Sequence, residues 1–380
     1  MKQDKNFNIA KSFIIKLCST YCRFLIKYIL QVIKVSKKVK HFITILRSNF
    51  AMNRTEKIKK RKRKKLRKSI IFFLLFLLLV VGGSVIYFTV QTINAANKAY
   101  NDLGREKSNL REETVSVKKD PFSVLLMGVE DYSTGGKNGR TDALLVATLN
   151  PEDQTMKLLS IPRDTLVEIV GEHTKDKITH AHVFGGNKMT IETVENLLDI
   201  PIDYYVSVDF DAFVNIIDIL GGVEVNVPFD FTQDTLDGKI FKFSEGPMEL
   251  DGEHALAYAR MRKQDPLGDI GRNQRQQEII KGIIDKITSI KTVTSFDDLA
   301  TEIGENVETN FKVTHGLTLF KKYSNFSSNS IDQIELKTIS DRYKGASVQV
   351  VDEDSLAETQ ATLKEHLQLD SSPATASTQK

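Results

Sequence analysis

The sequence predicts a mixed α/β domain, a central β-sheet flanked by helices, preceded by one transmembrane helix. Three observations lead to this prediction. Residues 70–90 form an apolar run without a charged side chain. After it, short apolar or alternating runs, which are typical of strands, are interspersed with segments of helical period. The charge also changes sign, because residues 1–90 carry a net +20 and the remainder −16. A basic tail and an acidic domain are therefore joined in one chain.

The apolar run predicts a single-pass anchor in the cell membrane. As a helix it would be about 31 Å long, which matches the hydrocarbon core of a bilayer. Residues 57–68 just before it hold ten Lys or Arg in twelve positions, and such clusters stay in the cytoplasm. We therefore expect a cytoplasmic N-terminus and an extracellular domain, in a Gram-positive bacterium. The acidic domain indicates no nucleic-acid partner.

The sequence divides into five predicted parts. These are a cytoplasmic basic tail at 1–68, the transmembrane helix at 69–90, an extracellular stalk at 91–119, a folded domain at 120–370 and a disordered tail at 371–380. Residues 1–51 are interpreted either as a membrane-surface helix or as residues that precede a true start at Met52. Both cysteines lie in that first segment, so the folded domain has no disulfide.

Individual elements of the domain follow from its hydrophobic pattern. FSVLLM (122–127) predicts a buried strand, and ALLVATL (143–149) and MKLLSIP (156–162) predict two strands joined by a turn. Residues 187–200 and 211–220 have helical spacing, and the second helix is expected to stop at Gly221 and Gly222. Strands at 203–210, 223–228 and 346–351 and a helix over 354–367 complete the predicted sheet and its flanking helices.

Acidic residues gather where the first two strands meet. Glu130 and Asp131 end one strand, and Asp142 opens the next after a glycine-rich turn. Carboxylates paired at strand ends suit Mg²⁺, which takes one or two protein oxygens and leaves the rest to water and phosphate. The alternative is a solvated turn, in which acidic and glycine residues are common anyway.

Arginines form a second group of candidates. Arg163 follows a strand in SIPRDT, and Arg260, Arg262 and Arg272 lie within YARMRKQDPLGDIGR. Each suits a phosphate, although Arg163 alone could simply pair with an acid. The spacing leaves open whether Arg260 and Arg262 end a helix or lie in a strand.

The helical pattern that follows predicts a buried arginine. Its apolar stripe runs through Ile280, Ile283 and Ile287 and, continued toward the N-terminus, reaches Gln276 and Arg272. A buried arginine is costly unless it is paired. Arg272 is therefore expected either to line a cavity that holds an anion or to meet a carboxylate such as Asp142.

Four long motifs, in order, resemble the LytR-CpsA-Psr family. They are FSVLLMGVED with GRTDALLVATLNP, then LLSIPRD, then the run from KITHAHVFGG to GGVEVNVP, then DGEHALAYARMRKQDPLGDIGRNQRQQEII. The resemblance implies an enzyme that transfers teichoic acid, capsule or a related glycopolymer from a polyprenyl-pyrophosphate carrier to a muramic-acid hydroxyl of peptidoglycan. It also implies a hydrophobic tunnel for the polyprenyl chain and Mg²⁺ at the pyrophosphate.

The resemblance assigns roles to residues of this sequence. Asp142, Arg163 and Arg260 are the predicted catalytic residues. The pyrophosphate is expected to contact five side chains, namely Arg163, Arg260, Arg262, Arg272 and Gln276. Asp142 with Glu130 or Asp131 would hold the metal, and the GVED sequence leaves open which of the two acids does so. Tunnel walls are expected from Ile279, Ile280, Ile283 and Ile284. The general base is not identified.

Two other functions fit the same residues. One is a phosphohydrolase that releases the lipid-linked glycan to water, since only the acceptor differs. The other is a non-enzymatic lipid-binding or envelope regulatory protein, for which removal of the charge at Asp142 or Arg260 would leave function intact.

Overall fold

A computed structural model describes residues 98–130, 139–235, 238–289, 302–304, 306–323 and 326–369. The chain divides into two units, Met1–Gly82 and Gly83–Lys380, and the described residues all belong to the second. The predicted basic tail, transmembrane helix and C-terminal tail lie outside the described residues. No helix within the described ranges is both long and apolar enough to cross a membrane.

The main elements of the described part are fourteen strands and six α-helices, with a short 3-10 helix at Ser328–Ser330. The strands are β1 (Phe122–Glu130), β2 (Arg140–Asn150), β3 (Thr155–Ser160), β4 (Leu166–Ile169), β5 (Thr174–Lys177), β6 (Tyr204–Asp209), β7 (Val223–Val227), β8 (Phe231–Asp234), β9 (Ile240–Phe243), β10 (Gly246–Leu250), β11 (Val307–Thr309), β12 (Ile331–Glu335), β13 (Thr338–Tyr343) and β14 (Ala346–Val351). The helices are α1 (His180–Leu198), α2 (Phe210–Ile219), α3 (Gly252–Arg260), α4 (Asp269–Ser289), α5 (Val313–Lys322) and α6 (Glu353–His366).

The central sheet is mixed and has six strands in the order β11-β6-β1-β2-β3-β12. Strand β1 pairs antiparallel with β2 and parallel with β6, and β12 pairs parallel with β3. Four two-stranded ladders accompany this sheet: β4-β5, β7-β10, β8-β9 and β13-β14. The predicted mixed sheet between helices is therefore confirmed.

Helices cover both faces of the sheet because its strands are apolar on both sides. On one face, Leu125 and Val146 pack with Val194 of α1 and Leu363 of α6. On the other, Val124 and Leu145 belong to a core against which α4 packs. A further core joins α2, α3 and α4 to the β7-β10 and β8-β9 ladders. The space between this last core and the sheet is where the candidate site lies.

The predicted strands and helices are confirmed, and among them only helix α1 departs from its predicted bounds by more than about three residues. Strand β7 shows the expected alternation of buried and exposed residues. Helix α2 stops before Gly221 and Gly222, which both have positive φ angles of 77° and 86°, a conformation that favours glycine. Helix α1 begins seven residues earlier than predicted, across a kink at Gly185 and Gly186 that interrupts the helical pattern.

Residues 98–119, the described part of the segment predicted as a stalk, are mostly not helical. Beyond Ala99 they make turns that lie against the domain. Arg105 pairs with Glu195 at 2.8 Å, and Arg111 pairs with Asp203 at 2.8 Å. These ion pairs explain why the segment packs on the domain, because its arginines, which the sequence pattern suggests are solvent-exposed, pair with carboxylates of the domain.

Candidate active site

An apolar cavity of about 520 Å³ lies between the sheet and helices α2, α3 and α4. Its apolar walls come from β1, β2, β6 and these helices; they include Leu126, Leu145, Val206, Val208, Phe213, Ile216, Leu256, Ile279, Ile280 and Ile283. Three of the four isoleucines predicted to wall a tunnel thus line the cavity. Ile284 does not line it and instead packs against the core under α4.

The five residues predicted to contact pyrophosphate all line this cavity, together with Asp142. Arg272 and Gln276 come from the first turns of α4. Arg260 is the last residue of α3. Of the two possibilities that the sequence left open for it, the end of a helix or a strand, the first is therefore correct. Asp251 caps the N-terminus of helix α3, since its carboxylate accepts a hydrogen bond from the backbone N–H of His254 at 2.9 Å. The helix ends at Arg260 because Met261 has an extended backbone conformation.

Asp142 owes its position to an irregularity in the β1-β2 pairing. Gly128 lies opposite Ala143 and Val129 opposite Thr141, so Asp142 is an extra residue without a partner in the ladder. Such a β-bulge changes the direction of a side chain and often occurs beside active sites. The carboxylate of Asp142 accepts a hydrogen bond from Nη1 of Arg163 at 2.6 Å.

Arg163 is held by carboxylates on two sides. Besides Asp142, its Nε lies 3.8 Å from Asp164, which in turn pairs with Lys177 at 2.6 Å. Burial acts to lower the pKa of Arg163, but the charge and hydrogen bond of Asp142 outweigh it and the pKa is raised. Burial also acts to raise the pKa of Asp164, yet the hydrogen bond and charge of Lys177 lower it overall. Both groups are therefore firmly charged.

Arg272 is more deeply buried than Arg163, and nearby carboxylates balance its charge less completely. Its side chain is 7% exposed, and Nη2 lies 3.2 Å from Asp269, which also lies 3.6 Å from Arg262. Burial lowers the pKa of Arg272, and the charge of Asp269 offsets this only in part. Among the described residues, the buried Nε groups of both Arg163 and Arg272 have no hydrogen-bond partner. A buried donor without a partner costs about 1–3 kcal/mol, which an anion in the cavity would recover.

A second, polar cavity of about 640 Å³ adjoins the first. The two cavities share Asp142, Arg163, Arg262 and Lys263. Its other walls come from the starts of β2, α1 and α4, the loop between β3 and β4, β5, the loop before α4 and the β13-β14 hairpin; they include Arg140, Asp164, Lys177, His180, Asp269, Ser340, Ser347 and Gln349. No pattern in the sequence predicts that the β13-β14 hairpin lies at this cavity.

The predicted metal ligands are only partly brought together. Asp142 lines both cavities, whereas Glu130 ends β1 opposite Arg140 and lines neither. Asp131 lies outside the described residues. Within the described ranges, no cluster of three or more His, Cys, Asp or Glu could hold a metal. Mg²⁺ at a phosphate needs only one or two protein carboxylates, so the oxygen chemistry of Asp142 fits this ion.

A buried ion pair that the sequence analysis did not predict lies beside the candidate site and stabilises it. Arg275 and Asp265 are 2% and 3% exposed, and their side chains hydrogen-bond to each other. Arg275 also donates to the carbonyl oxygens of Tyr258, at 3.2 Å, and Met261. The pair thus joins α4 to the loop that carries Arg262. Position 275 lies four residues before Ile279 and eight before Ile283 of the apolar stripe, so the helical spacing contained a signal for its burial.

This combination of a mixed sheet, an apolar cavity and an arginine-lined end agrees with the family comparison. The model of the LytR_cpsA_psr family matches residues 86–365, and the chain belongs to this family. It is 50% identical over 289 residues to the polyisoprenyl-teichoic acid–peptidoglycan teichoic acid transferase TagV of Bacillus subtilis, covering 74% of each chain.

Solved structures show the same relationship. The crystal structure of B. subtilis TagV is 46% identical, with a TM-score of 0.60 over 66% of this chain and 98% of that one. The structure of the LytR-CPS2A-psr family protein YwtF (TagT) with bound octaprenyl pyrophosphate lipid is 33% identical, with a TM-score of 0.55 over 70% of this chain and 98% of that one.

Proposed function

We propose that this chain transfers a teichoic acid or a related glycopolymer from a polyprenyl-pyrophosphate carrier to peptidoglycan. The observation that carries the proposal is the apolar cavity that ends at buried arginines with unpartnered N–H groups. An apolar chain with an anionic head group is the ligand that matches both ends. The names of the family relatives, and the lipid bound to one of them, support the same substrate class.

The polyprenyl chain lies in the apolar cavity and the pyrophosphate lies among Arg163, Arg260 and Arg272, with Arg262 and Gln276 beside them. A muramic-acid hydroxyl attacks the phosphorus that carries the glycan. A new P–O bond forms, the bridging P–O bond of the pyrophosphate breaks, and polyprenyl phosphate leaves. The hydroxyl proton passes to a carboxylate that lines the polar cavity. The arginines contribute by stabilising charge on the phosphoryl oxygens, which is the main source of catalysis in such reactions.

Mg²⁺ is part of the proposal. Asp142, together with Glu130 or Asp131, would hold it, and it would neutralise charge on the pyrophosphate when bound. The test is to remove divalent ions with excess EDTA and then restore Mg²⁺. We expect activity to be lost and recovered, and full activity in EDTA would exclude a metal.

The membrane anchor and the extracellular position of the domain are also proposals. They are supported by the uncharged run at 70–90 and the basic segment at 57–68. A reporter fused after Lys380 should be active only outside the cell. Activity of that reporter in the cytoplasm would contradict the topology.

The decisive experiment for function uses the purified full-length chain in detergent. It is mixed with a synthetic polyprenyl-pyrophosphate saccharide, Mg²⁺ and uncross-linked peptidoglycan fragments, and the product masses are measured. We expect a phosphodiester between saccharide and glycan, absent for Asp142→Ala and unchanged for Asp332→Ala, an exposed acid near the start of the edge strand β12. Free saccharide phosphate alone would indicate a hydrolase. Lipid retention without turnover would indicate a binding protein.

A further inference from the structure

The charged junction, where the two cavities meet, contains two side chains whose backbone is not fixed by the sheet. Asp142 and Arg163 line both cavities and hydrogen-bond to each other at 2.6 Å, with Arg272 beside them. Asp142 is the bulged residue without a partner in the β1-β2 ladder, and Arg163 follows the end of β3, beyond its paired residues. The sheet alone therefore does not set their positions relative to each other.

Thr179 contacts the backbone of both segments. Its hydroxyl donates to the carbonyl oxygen of Thr141 at 2.9 Å, and its backbone N–H donates to the carbonyl oxygen of Arg163 at 3.1 Å. Thr179 is 3% exposed and Thr141 is fully buried, so these bonds lie where the low local dielectric strengthens them. One residue thus bridges the peptide unit that precedes Asp142 and the peptide unit that follows Arg163.

The hydroxyl of Thr179 makes this contact instead of capping a helix. Thr179 immediately precedes α1, a position at which threonine commonly accepts a hydrogen bond from the first turn. Its side chain makes no such bond, whereas Asp209, Asp251 and Asp352 each cap the helix that they precede. Loss of a cap destabilises a helix, so the stability of α1 does not explain why the hydroxyl contacts Thr141.

A second residue of α1 holds the same segment two residues earlier. Nδ1 of His182 contacts the carbonyl oxygen of Gly139 at 2.7 Å, and Nε2 lies 3.2 Å from Oδ1 of Asn187. The amide of Asn187 in turn donates to Glu308 at 2.7 Å. The contacts of Thr179 and His182 both use carbonyl oxygens, so they fix the backbone of residues 139–141 independently of its side chains.

Phosphoryl transfer depends on accurate placement, because its catalysis consists mainly of positioning and of charge placed at the phosphoryl oxygens. A displacement of about 1 Å at such a group lowers a rate by as much as about 100-fold. We propose that Thr179 is a positioning residue, which holds the Asp142 bulge and Arg163 at the spacing at which both act at the pyrophosphate. This proposal rests on the proposed function.

The first test compares steady-state glycan transfer by the full-length chain in detergent, with rates corrected for the folded fraction. Thr179→Val removes the hydroxyl and keeps a branched side chain, whereas Thr179→Ser keeps the hydroxyl. Thr190→Val is the matched control, because Thr190 is buried on the same helix, donates its hydroxyl to the carbonyl oxygen of Gly186 at 3.0 Å and lines neither cavity. Thr179→Ala is assayed as well, so that the comparison stands if valine prevents folding.

We expect Thr179→Val to lower kcat by about 10–100-fold and to change the KM of the donor by less than about 3-fold, because the donor still binds while the reacting groups are misplaced. Thr179→Ser should restore kcat to within about 3-fold of the wild type. Thr190→Val should keep its kcat. A normal kcat in Thr179→Val would overturn the proposal, as would an equal loss in Thr190→Val or no recovery with serine.

A second measurement needs no turnover. Guanidinium unfolding of Asp142→Asn, Arg163→Gln and the double variant gives the coupling between the two side chains. The double variant should be more stable than the sum of the two single losses predicts. In a Thr179→Val background this difference should fall by at least about half, because the two segments are no longer held together. An undiminished coupling would show that Thr179 does not set their spacing.

The positioning role and the proposed function can fail separately. If the wild-type chain forms no phosphodiester, the proposed transfer fails, and the coupling measurement still decides whether Thr179 positions the pair. If the wild type transfers glycan and Thr179→Val does so at the same rate, the transfer stands and the positioning role is overturned.

Discussion

Replacement of Gly271 by alanine gives opposite expectations from the sequence and from the structure. Gly271 lies in the first turns of α4, where alanine is preferred over glycine by about 1 kcal/mol. Helix propensity alone therefore predicts a more stable protein. In the structure, however, a Cβ at this position would lie 1.9 Å from Oδ2 of Asp265 and 2.4 Å from its Cγ. The carboxylate would have to move.

The cost of that movement follows from what holds Asp265. Its Oδ2 pairs with Arg275, and its Oδ1 accepts the backbone N–H of Leu267 at 2.7 Å. Both charged side chains are at most 3% exposed. Breaking a buried pair costs about 3–5 kcal/mol. After the gain in helix propensity, we expect Gly271→Ala to lower the free energy of unfolding by about 2–4 kcal/mol.

The assay is guanidinium unfolding of the full-length chain, followed by circular dichroism because the protein has no tryptophan. Gly316→Ala is the matched control, since Gly316 lies in helix α5 with nothing within 4 Å of its added Cβ. The control should unfold at the same or a slightly higher denaturant concentration. If Gly271→Ala were as stable as the wild type, the packing of Asp265 against α4 would be wrong.

Three further predictions test the site. Arg260→Ala should lower the rate of glycan transfer by about 100-fold through lost charge stabilisation, and a near-normal rate would remove Arg260 from the reaction. The pKa of Asp164 is lower in the folded protein than its value of 3.8 in the unfolded chain, so ionised Asp164 stabilises the fold above that pH. This stabilisation is lost as the pH falls through the lowered pKa. Unfolding measurements on Lys177→Met across pH should therefore show a smaller loss of stability below about pH 4 than the wild type. Ile283→Phe should raise the KM for a long polyprenyl donor more than for a short one, whereas Ile284→Val, outside the cavity, should not distinguish them; equal effects would place the chain elsewhere.

Local sequence patterns predicted the framework because the sheet is built from contiguous apolar runs. Strand β1 and helix α2 are visible in composition, and helix α2 ends just before Gly221 and Gly222, whose positive φ angles favour glycine. The apolar stripe of α4 also predicted that Arg272 and Gln276 line a cavity, because polar side chains at positions expected to be in the core need a polar partner or ligand. The buried environment of Arg272 is the clearest success of that reasoning.

What the sequence could not predict depends on contacts between distant segments. The β-bulge at Asp142 appears only when β1 and β2 are aligned residue by residue. The hairpin that closes the polar cavity begins more than 170 residues after Arg163, and nothing in its own pattern indicates that Gln349 will bond to the backbone of Asp164. The contacts of residues 98–119 with the domain could not be predicted for the same reason, because Arg105 and Arg111 pair with residues about 90 positions away.

The charges at the junction are balanced unevenly, and this imbalance argues for an anionic ligand. Arg163 has a raised pKa and a close carboxylate, whereas burial lowers the pKa of Arg272 and its nearest acid is shared with Arg262. A site that served stability alone would gain by pairing each arginine fully or by replacing it with an apolar side chain. An arrangement that leaves buried N–H groups without partners at the end of an apolar cavity is stabilised most by a ligand that brings both an apolar chain and a diphosphate.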